Sequence, residues 1–374
     1  MAGEMESNLQ QKDFITPRLQ LVAWELTRSC NLFCAHCRGS ASDGQFSGEL
    51  STSECFRLID QILEVASPIL ILSGGEPLVR DDIVPIASYA ASKGLRIVMG
   101  TNGTLLTEAM AAKLKTIPVS RVGISLDFPT AELQDRFRGK AGAFKAALAG
   151  IANARAAGID VQINSTITKS NVFLLPALFS LALKVGAVAF HPFMLVPTGR
   201  GKVLKSLEVS PEQYEETLNW VFGKQLELEQ KMSLKPTCAP HYLRVAKQRE
   251  KKLRMLGNTQ PATNHNAMHS LTRGCLAGTG FAFVSHQGKV KGCGYLDIEA
   301  GDIRKESFGQ VWNNSSLFQE LRNLSNLRGN CGVCEYKRVC GGCRARAYEA
   351  TGDYFAAEPY CIYKPASCDV SSKI

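Results

Sequence analysis

Two hydrophobic periods alternate along the chain as far as about residue 233. An extended, largely apolar segment from Leu19 to Thr27 reads as a first strand. Ser51-Thr52-Ser53-Glu54 then has the form of a capping box and opens an amphipathic helix to about Ala66. Cys55 falls inside that helix and reads as a buried apolar residue. Ile69-Leu70-Ile71-Leu72 is wholly apolar, the pattern of a short strand buried on both faces. The alternation continues with a helix to about Lys93, a strand at Arg96 to Met99, a helix to about Lys115 and a strand at Val119 to Leu126. Next come a helix near Ala143 to Ala157, a strand at Val161 to Ile167, a helix near Leu174 to Val185 and a strand at Val188 to Met194. A last helix runs from Pro211 to about Glu229. Six strand–helix units of this kind predict an α/β fold, a partial (β/α)6 TIM-like barrel with its site at the C-terminal ends of the strands.

Beyond that point the period weakens. Residues 1–18 read as an N-terminal segment, 19–233 as the barrel, and 234–271 as a connector with one basic helix. Residues 272–374 are rich in Cys and Gly, with short strands at Gly280 to Ser285 and Lys289 to Gly292 and little core of their own. Such a module usually needs metal to fold.

Composition narrows the setting. With 45% hydrophobic residues the chain has ample material for a core, yet no apolar run long enough to span a membrane. The polar stretch Met1 to Asp13 lacks a secretory pattern, so a cytoplasmic location is expected. The chain has 13 cysteines, and in a reducing compartment their CxxC clusters are read as metal or redox sites rather than disulfides. The net charge is +9, from 43 Lys+Arg against 34 Asp+Glu. The longest basic run, Lys247 to Arg254, has no interleaved aromatics and reads as a solvated helix face, so no nucleic-acid partner is expected. A basic excess also suits a small polyanion drawn into a cleft.

The strongest chemical signal is Cys30-Asn31-Leu32-Phe33-Cys34-Ala35-His36-Cys37, directly after the first strand. Three thiolates on one loop leave one iron of a four-iron cluster open to a small molecule. A structural zinc site would need a fourth ligand, and His36, between two of the cysteines on a tight turn, is the nearest candidate. Gly74-Gly75-Glu76-Pro77 follows the second strand, Thr101-Asn102-Gly103 the third, and Ser125-Leu126-Asp127 ends the fourth. Polar groups at successive strand ends are the pattern of a barrel active site. His191-Pro192-Phe193-Met194 and Pro197-Thr198-Gly199-Arg200-Gly201 close the last strand. Arg200, flanked by glycines, is expected to be exposed and free, as suits a carboxylate clamp.

These residues resemble those of radical S-adenosylmethionine enzymes over about residues 19 to 230. The resemblance implies that Cys30, Cys34 and Cys37 hold the radical cluster and that His36 packs on the adenine. It implies that Gly74, Gly75, Glu76 and Pro77 bind the methionine amino group, with Asn102, Ser125, Asp127 and Thr166 at strand ends where ribose and carboxylate contacts occur. The C-terminal cysteines, Cys275, Cys293, Cys331-x2-Cys334-x5-Cys340-x2-Cys343 and Cys361, resemble the SPASM extension of that family, which carries one or two auxiliary [4Fe-4S] clusters. They depart from its usual spacing before Cys343 and lack an extra cysteine between the first two. By resemblance Cys331, Cys334, Cys340 and Cys361 hold one cluster. Cys275, Cys293 and Cys343 hold another, with Cys238, Cys368 or substrate as its fourth ligand.

The Pro197 to Gly201 element and the block from Cys334 to Tyr348 resemble the haem-biosynthesis branch. That implies iron-coproporphyrin III as substrate, two propionates oxidatively decarboxylated to vinyls, and an electron donor such as a flavodoxin or ferredoxin. Arg200 and His191 are the candidate substrate-side residues; Arg344 and Arg346 are either propionate partners or braces of the cluster loop. Three alternatives stay open: action on didecarboxysiroheme, as in the deacetylase or haem d1 branch; peptide maturation; and a zinc-dependent nucleic-acid binder. The roughly 18 residues before the first strand leave little room for a maturase's peptide-recognition domain.

Overall fold

The computed structural model describes residues 13–228, 231–257 and 273–366. Strands β1 (Leu21–Glu25), β2 (Ile69–Ser73), β3 (Arg96–Thr101), β4 (Arg121–Ser125), β5 (Asp160–Ile167) and β6 (Ala189–Met194) lie side by side, all parallel and in chain order. Helices α1 (Thr52–Val65), α2 (Ile83–Ser92), α3 (Glu108–Thr116), α5 (Ala143–Ala156) and α6 (Leu175–Lys184) connect them as expected. A short helix not expected from the pattern, α4 (Ala131–Arg138), precedes α5. The fold is a partial (β/α)6 barrel. The capping box of α1 forms, with Ser51 and Glu54 satisfying each other's backbone amides, and Cys55 is fully buried one turn later.

The parallel strands bury one face and leave the other half-open. Leu70, Leu72, Val122, Ile124, Val161, Ile163 and Phe190 share one core with Leu58, Ile62, Ile86, Leu114, Ile151 and Leu178 of the helices. Each fully buried side chain of this size contributes about 1.5–3 kcal/mol. The opposite face carries Ser73, Ser125, Gln162, Asn164, Thr166 and His191, all half-buried. Ser125 pairs in register with Asn164, and Asn164 with His191, so they form a polar row across three strands. This corrects the expectation for β2: Leu70 and Leu72 are 0% exposed, but Ile69 and Ile71 are only half-buried. Its second face fronts that polar side instead of another helical layer.

The chain after the barrel is less separate than its composition implies. Helix α7 (Pro211–Glu227) ends just short of the expected Glu229, which lies outside the described residues. Strand β7 (Ser233–Leu234) adds to the β6 edge, and α8 (Tyr242–Met255) is the basic helix of the connector. Lys247, Lys251, Lys252 and Arg254 are exposed on it, whereas Arg244 is buried on a bidentate pair with Glu215 at 2.6 Å. Strand β8 (Phe281–Val284) then pairs in parallel with β1, and β9 (Lys289–Cys293) and β10 (Leu296–Asp302) follow antiparallel. The result is one ten-stranded sheet, ordered β10-β9-β8-β1-β2-β3-β4-β5-β6-β7. Short helices α9 (Phe308–Asn314), α10 (Ser316–Arg322), α11 (Gly329–Val333) and α12 (Arg344–Thr351) complete the C-terminal region. Phe308, Val311, Trp312 and Phe318 bury into the same core as the barrel. The region therefore has little core of its own because it shares the barrel's. No helix among the described residues is long and apolar enough to cross a membrane.

Candidate functional site

The loop after β1 is laid across the C-terminal rim by contacts from four other elements. The backbone of Thr27 to Ser29 passes so close to the turn after β2 that a Cβ on Gly75 would lie 2.3 Å from the Ser29 carbonyl. Gly75 N and Glu76 N donate to the carbonyls of Thr27 (2.7 Å) and Ser29 (2.9 Å). The glycine pair is thus required by a close approach. At the end of α4, Phe33 N and Ala35 N donate to the carbonyls of Arg138 and Phe137.

Each sulfur of the loop has its own donor. Cys30 Sγ accepts from Leu32 N (3.5 Å) and Asn102 Nδ2 (3.8 Å), Cys34 Sγ from Arg138 Nη1 (3.7 Å), and Cys37 Sγ from Ala41 N (3.2 Å). Burial pushes the Cys30 thiol up to about 12 and raises Cys34 as well. Thiolates here therefore call for a bound cation, which a cluster supplies. Among the described residues no three His, Cys, Asp or Glu side chains are arranged to hold a single metal ion. A four-iron cube takes ligands spread more widely, and a three-cysteine loop with a polar rim beside it fits that donor set.

The other rim residues form one connected network. Glu76 is fully buried, accepting from Thr101 Oγ1 (2.7 Å), Asn102 N (2.7 Å) and Leu78 N (3.2 Å); burial nevertheless raises its pKa to about 7. Pro77 starts the 3-10 turn that Glu76 caps. Asn102 Nδ2 also donates to Asn31 Oδ1 at 2.8 Å. Asp127 is 0% exposed, paired with Arg138 at 2.5 Å and accepting from Thr166 N at 2.7 Å. Ser125 lies one residue pair away, its carbonyl accepting from Gln134. The His36 ring stacks on Phe137 at 4.4 Å, and burial holds its pKa down at about 4, so the ring is neutral. His191 sits on β6 in register with Asn164, on the polar face.

Arg200 stands differently from the free clamp expected of it, while Arg344 and Arg346 take the bracing role that was one of their two readings. Arg200 is half-buried, not free: Nε donates to the Cys34 carbonyl (2.7 Å), Nη2 to the Ala41 carbonyl (2.8 Å), and the guanidinium lies 3.7 Å over Phe33. Gly199, at φ 55°, lets this segment pack where a Cβ would lie 2.0 Å from the Arg38 carbonyl. Arg344 donates to the carbonyls of Tyr354 and Ala356 (2.8 Å each) and to Cys331 Sγ (3.7 Å). Arg346, 1% exposed, donates to the carbonyls of Met194, Leu195 and Cys238 and pairs with Glu358 at 3.5 Å. All three brace the cysteine loops.

The C-terminal cysteines separate into two neighbourhoods. Cys334 and Cys340 each lie in the electrostatic reach of Cys331 and Cys361, while Cys293 and Cys343 lie in that of Cys275. In the first set Cys331 Sγ accepts from Glu358 N, Cys334 Sγ from Tyr336 N and Cys340 Sγ from Gly342 N, each at 3.4 Å, and Cys361 Sγ from Arg244 at 3.8 Å. In the second, Cys293 Sγ accepts from Tyr295 N at 3.5 Å. Cys275 N donates to the Cys340 carbonyl at 3.1 Å and ties the sets together. Cys368 lies outside the described residues.

Several residues at the site escaped the sequence reading. Glu25 ends β1 at 1% exposure, held by Arg38 (2.7 Å) and His286 (2.9 Å). Arg38 also reaches the Gly294 carbonyl (3.3 Å) and covers Phe283 at 4.5 Å, joining the rim loop to the C-terminal region. The available signal for Glu25 was a charge inside the apolar strand Leu21 to Leu26; Arg138 and Arg244 gave none.

Fold and rim together define a barrel enzyme built to hold a four-iron cluster beside a small-molecule site. A sequence profile of the Radical SAM superfamily matches residues 24–176, and one of the SPASM iron-sulfur cluster-binding domain matches residues 275–344. A Methanosarcina barkeri protein named AdoMet-dependent heme synthase is 49% identical over 346 residues, 92% of this chain and 97% of its own. The Fe-coproporphyrin III synthase of the same organism is 34% identical, over 96% of this chain and 91% of its own. The crystal structure of Streptococcus suis SuiB bound to S-adenosylmethionine has a TM-score of 0.73 at 14% identity, covering 96% of this chain and 81% of that one, a likeness of fold. The chain belongs to the radical SAM superfamily and, within it, to the family that contains this heme synthase. It is an enzyme whose cofactors are S-adenosylmethionine and [4Fe-4S] clusters.

Proposed function

We propose that this enzyme oxidatively decarboxylates two propionates of iron-coproporphyrin III to vinyl groups, giving protohaem. The observation that carries the reading is the 49% identity to the AdoMet-dependent heme synthase through 92% of the chain, against 34% for the Fe-coproporphyrin III synthase. Reductive cleavage of S-adenosylmethionine at the rim cluster supplies a 5′-deoxyadenosyl radical. A propionate β-carbon gives up a hydrogen atom, the bond from the α-carbon to the carboxylate breaks, and carbon dioxide leaves. A vinyl group and one electron remain. The chain's part is to position and exclude water: Glu76, Asn102 and the Asp127–Arg138 pair fix the rim, and the polar row Ser125, Asn164 and His191 faces the substrate side.

The released electron has a destination close by. Arg38, next to Cys37, donates to the carbonyl of Gly294, next to Cys293 (3.3 Å), so the Cys275–Cys293–Cys343 set is the one that borders the rim. A flavodoxin or ferredoxin is the proposed donor to the rim cluster. With Arg200, Arg344 and Arg346 committed to the protein, we assign propionate attraction to Lys202 and Lys205, exposed on the 3-10 turn Gly199–Leu207. The test is the product mass after anaerobic incubation with iron-coproporphyrin III, reductant and S-adenosylmethionine. Each converted propionate should lose carbon dioxide and two hydrogens, through a monovinyl intermediate. Unchanged iron-coproporphyrin III, with side chains lost from didecarboxysiroheme instead, would favour the deacetylase branch.

A further inference from the structure

The cysteine set that borders the rim has three members from the motif, Cys275, Cys293 and Cys343, whereas a cluster of this type takes four ligands. We propose that Cys238, in the connector between β7 and α8, is the fourth protein ligand of that cluster, leaving no iron of it for substrate. Four observations converge on this residue. Its backbone is clamped from the Cys343 side: the Cys238 carbonyl accepts from Arg346 Nη1 (3.1 Å), three residues after Cys343, and from Tyr214 Oη (2.8 Å). It is clamped equally from the Cys275 side. A Cβ on Gly274 would stand 2.5 Å from the Pro240 carbonyl, so Pro240, two residues after Cys238, lies directly against Gly274, the residue before Cys275.

The third observation is that the Cys238 side chain lies within electrostatic reach of Cys343, Cys293 and Cys275. The fourth concerns the backbone: at φ 56°, Cys238 is one of two non-glycine residues in the left-handed region among those described. A side chain held there is strained and persists where its surroundings over-determine it. Arg346, Tyr214 and Gly274 supply that determination.

The inference rests on the iron–sulfur reading of this region and not on the porphyrin, so the product-mass experiment above and the one here fail independently. The full-length chain carrying Cys30→Ala, Cys34→Ala and Cys37→Ala lacks the rim cluster and its open iron. In that protein, reduced anaerobically, the EPR spectrum should be unchanged by added cyanide. Adding Cys238→Ala should make one cluster's signal respond to cyanide. If that protein aggregates, Cys238→Ser keeps an oxygen ligand and should retain about eight irons per chain with an altered signal. A cyanide response already present with Cys238 in place overturns the proposal. So does a Cys238→Ser protein whose spectrum matches its parent.

Discussion

The rim loop and the auxiliary region hold their cysteines by opposite means. Cys30, Cys34 and Cys37 come from one continuous loop; Asn102 from the end of β3 and Arg138 from α4 bind the first two sulfurs, and the loop's own Ala41 amide the third. The auxiliary sulfurs come from stretches scattered between Cys275 and Cys361, drawn together by the buried arginines Arg244, Arg344 and Arg346. A loop templated by a packed sheet keeps its shape whether or not metal is bound. A set of segments joined through buried cations depends on every charge having its partner.

The sharpest way to break this contrast is to remove the cysteines on each side. Cys30→Ala, Cys34→Ala and Cys37→Ala together should abolish S-adenosylmethionine cleavage, leave the auxiliary iron bound and leave the protein soluble. Cys361→Ala should do the reverse, losing one auxiliary cluster's iron and much of the soluble yield. Iron and sulfide counts with 5′-deoxyadenosine release measure both. A well-folded, fully iron-loaded Cys361→Ala protein would contradict the ligand assignment.

The braces should follow the same division at smaller scale. Arg346 joins β6, the connector and the auxiliary loop through Met194, Leu195, Cys238 and Glu358. Arg346→Met strands a buried carboxylate and several carbonyls and should cost about 3–5 kcal/mol. Arg200→Ala removes two charge-assisted bonds from the rim loop, about 1.5–3 kcal/mol. Its expected signature is lost rim iron and slower S-adenosylmethionine cleavage, because its donors go to Cys34 and Ala41. Melting midpoints of the anaerobic proteins, read with cluster content, separate the two.

What the sequence reveals divides along the same line. The barrel is legible because the strand and helix periods report one shared core, and the rim cysteines are legible because their spacing is local. Helix α4 escaped notice since Glu132, Asp135, Arg136 and Arg138 leave it little apolar face. The helices α9 to α12 are only five to eight residues long, too short for a period to show. Arg200 was misread because its flanking glycines look like freedom; Gly199 in fact serves a close approach to the Arg38 carbonyl. Partners contributed by distant segments, such as Arg138 for Cys34 or Arg346 for Cys238, leave no mark in local spacing.

A rim held by barrel groups should also carry a pH signature. Burial raises the Glu76 pKa to about 7, above the 4.5 of a free glutamate. The folded state therefore keeps the proton over a range in which the unfolded chain has lost it. Stability falls as pH rises from about 4.5 to about 7 and is level above that. Between pH 6 and 7 the loss should be about 1 kcal/mol, and Glu76→Gln should flatten that slope. An unchanged slope in the Gln protein would mean that Thr101, Asn102 and Leu78 hold the carboxylate ionised.

The smallest effect is expected at the turn Gly199–Leu207, where the proposed propionate partners Lys202 and Lys205 stand. Lys202 stands on the same turn as Arg200, yet its charge acts on Asp297 of β10 and Glu349 of α12 in the C-terminal region. It is exposed, as is Lys205 three residues on, so each contributes through a solvent-screened field rather than a desolvated pair. Lys202→Ala and Lys205→Ala should each weaken iron-coproporphyrin III binding by about two- to fivefold, an effect that shrinks with added salt. Neither should alter iron content or cleavage of S-adenosylmethionine without porphyrin, because neither side chain braces a cysteine. That pattern is the inverse of the one expected for Arg200→Ala, only two residues from Lys202. If Lys202→Ala instead costs rim iron, the turn acts as a single brace and the propionate assignment to its lysines fails.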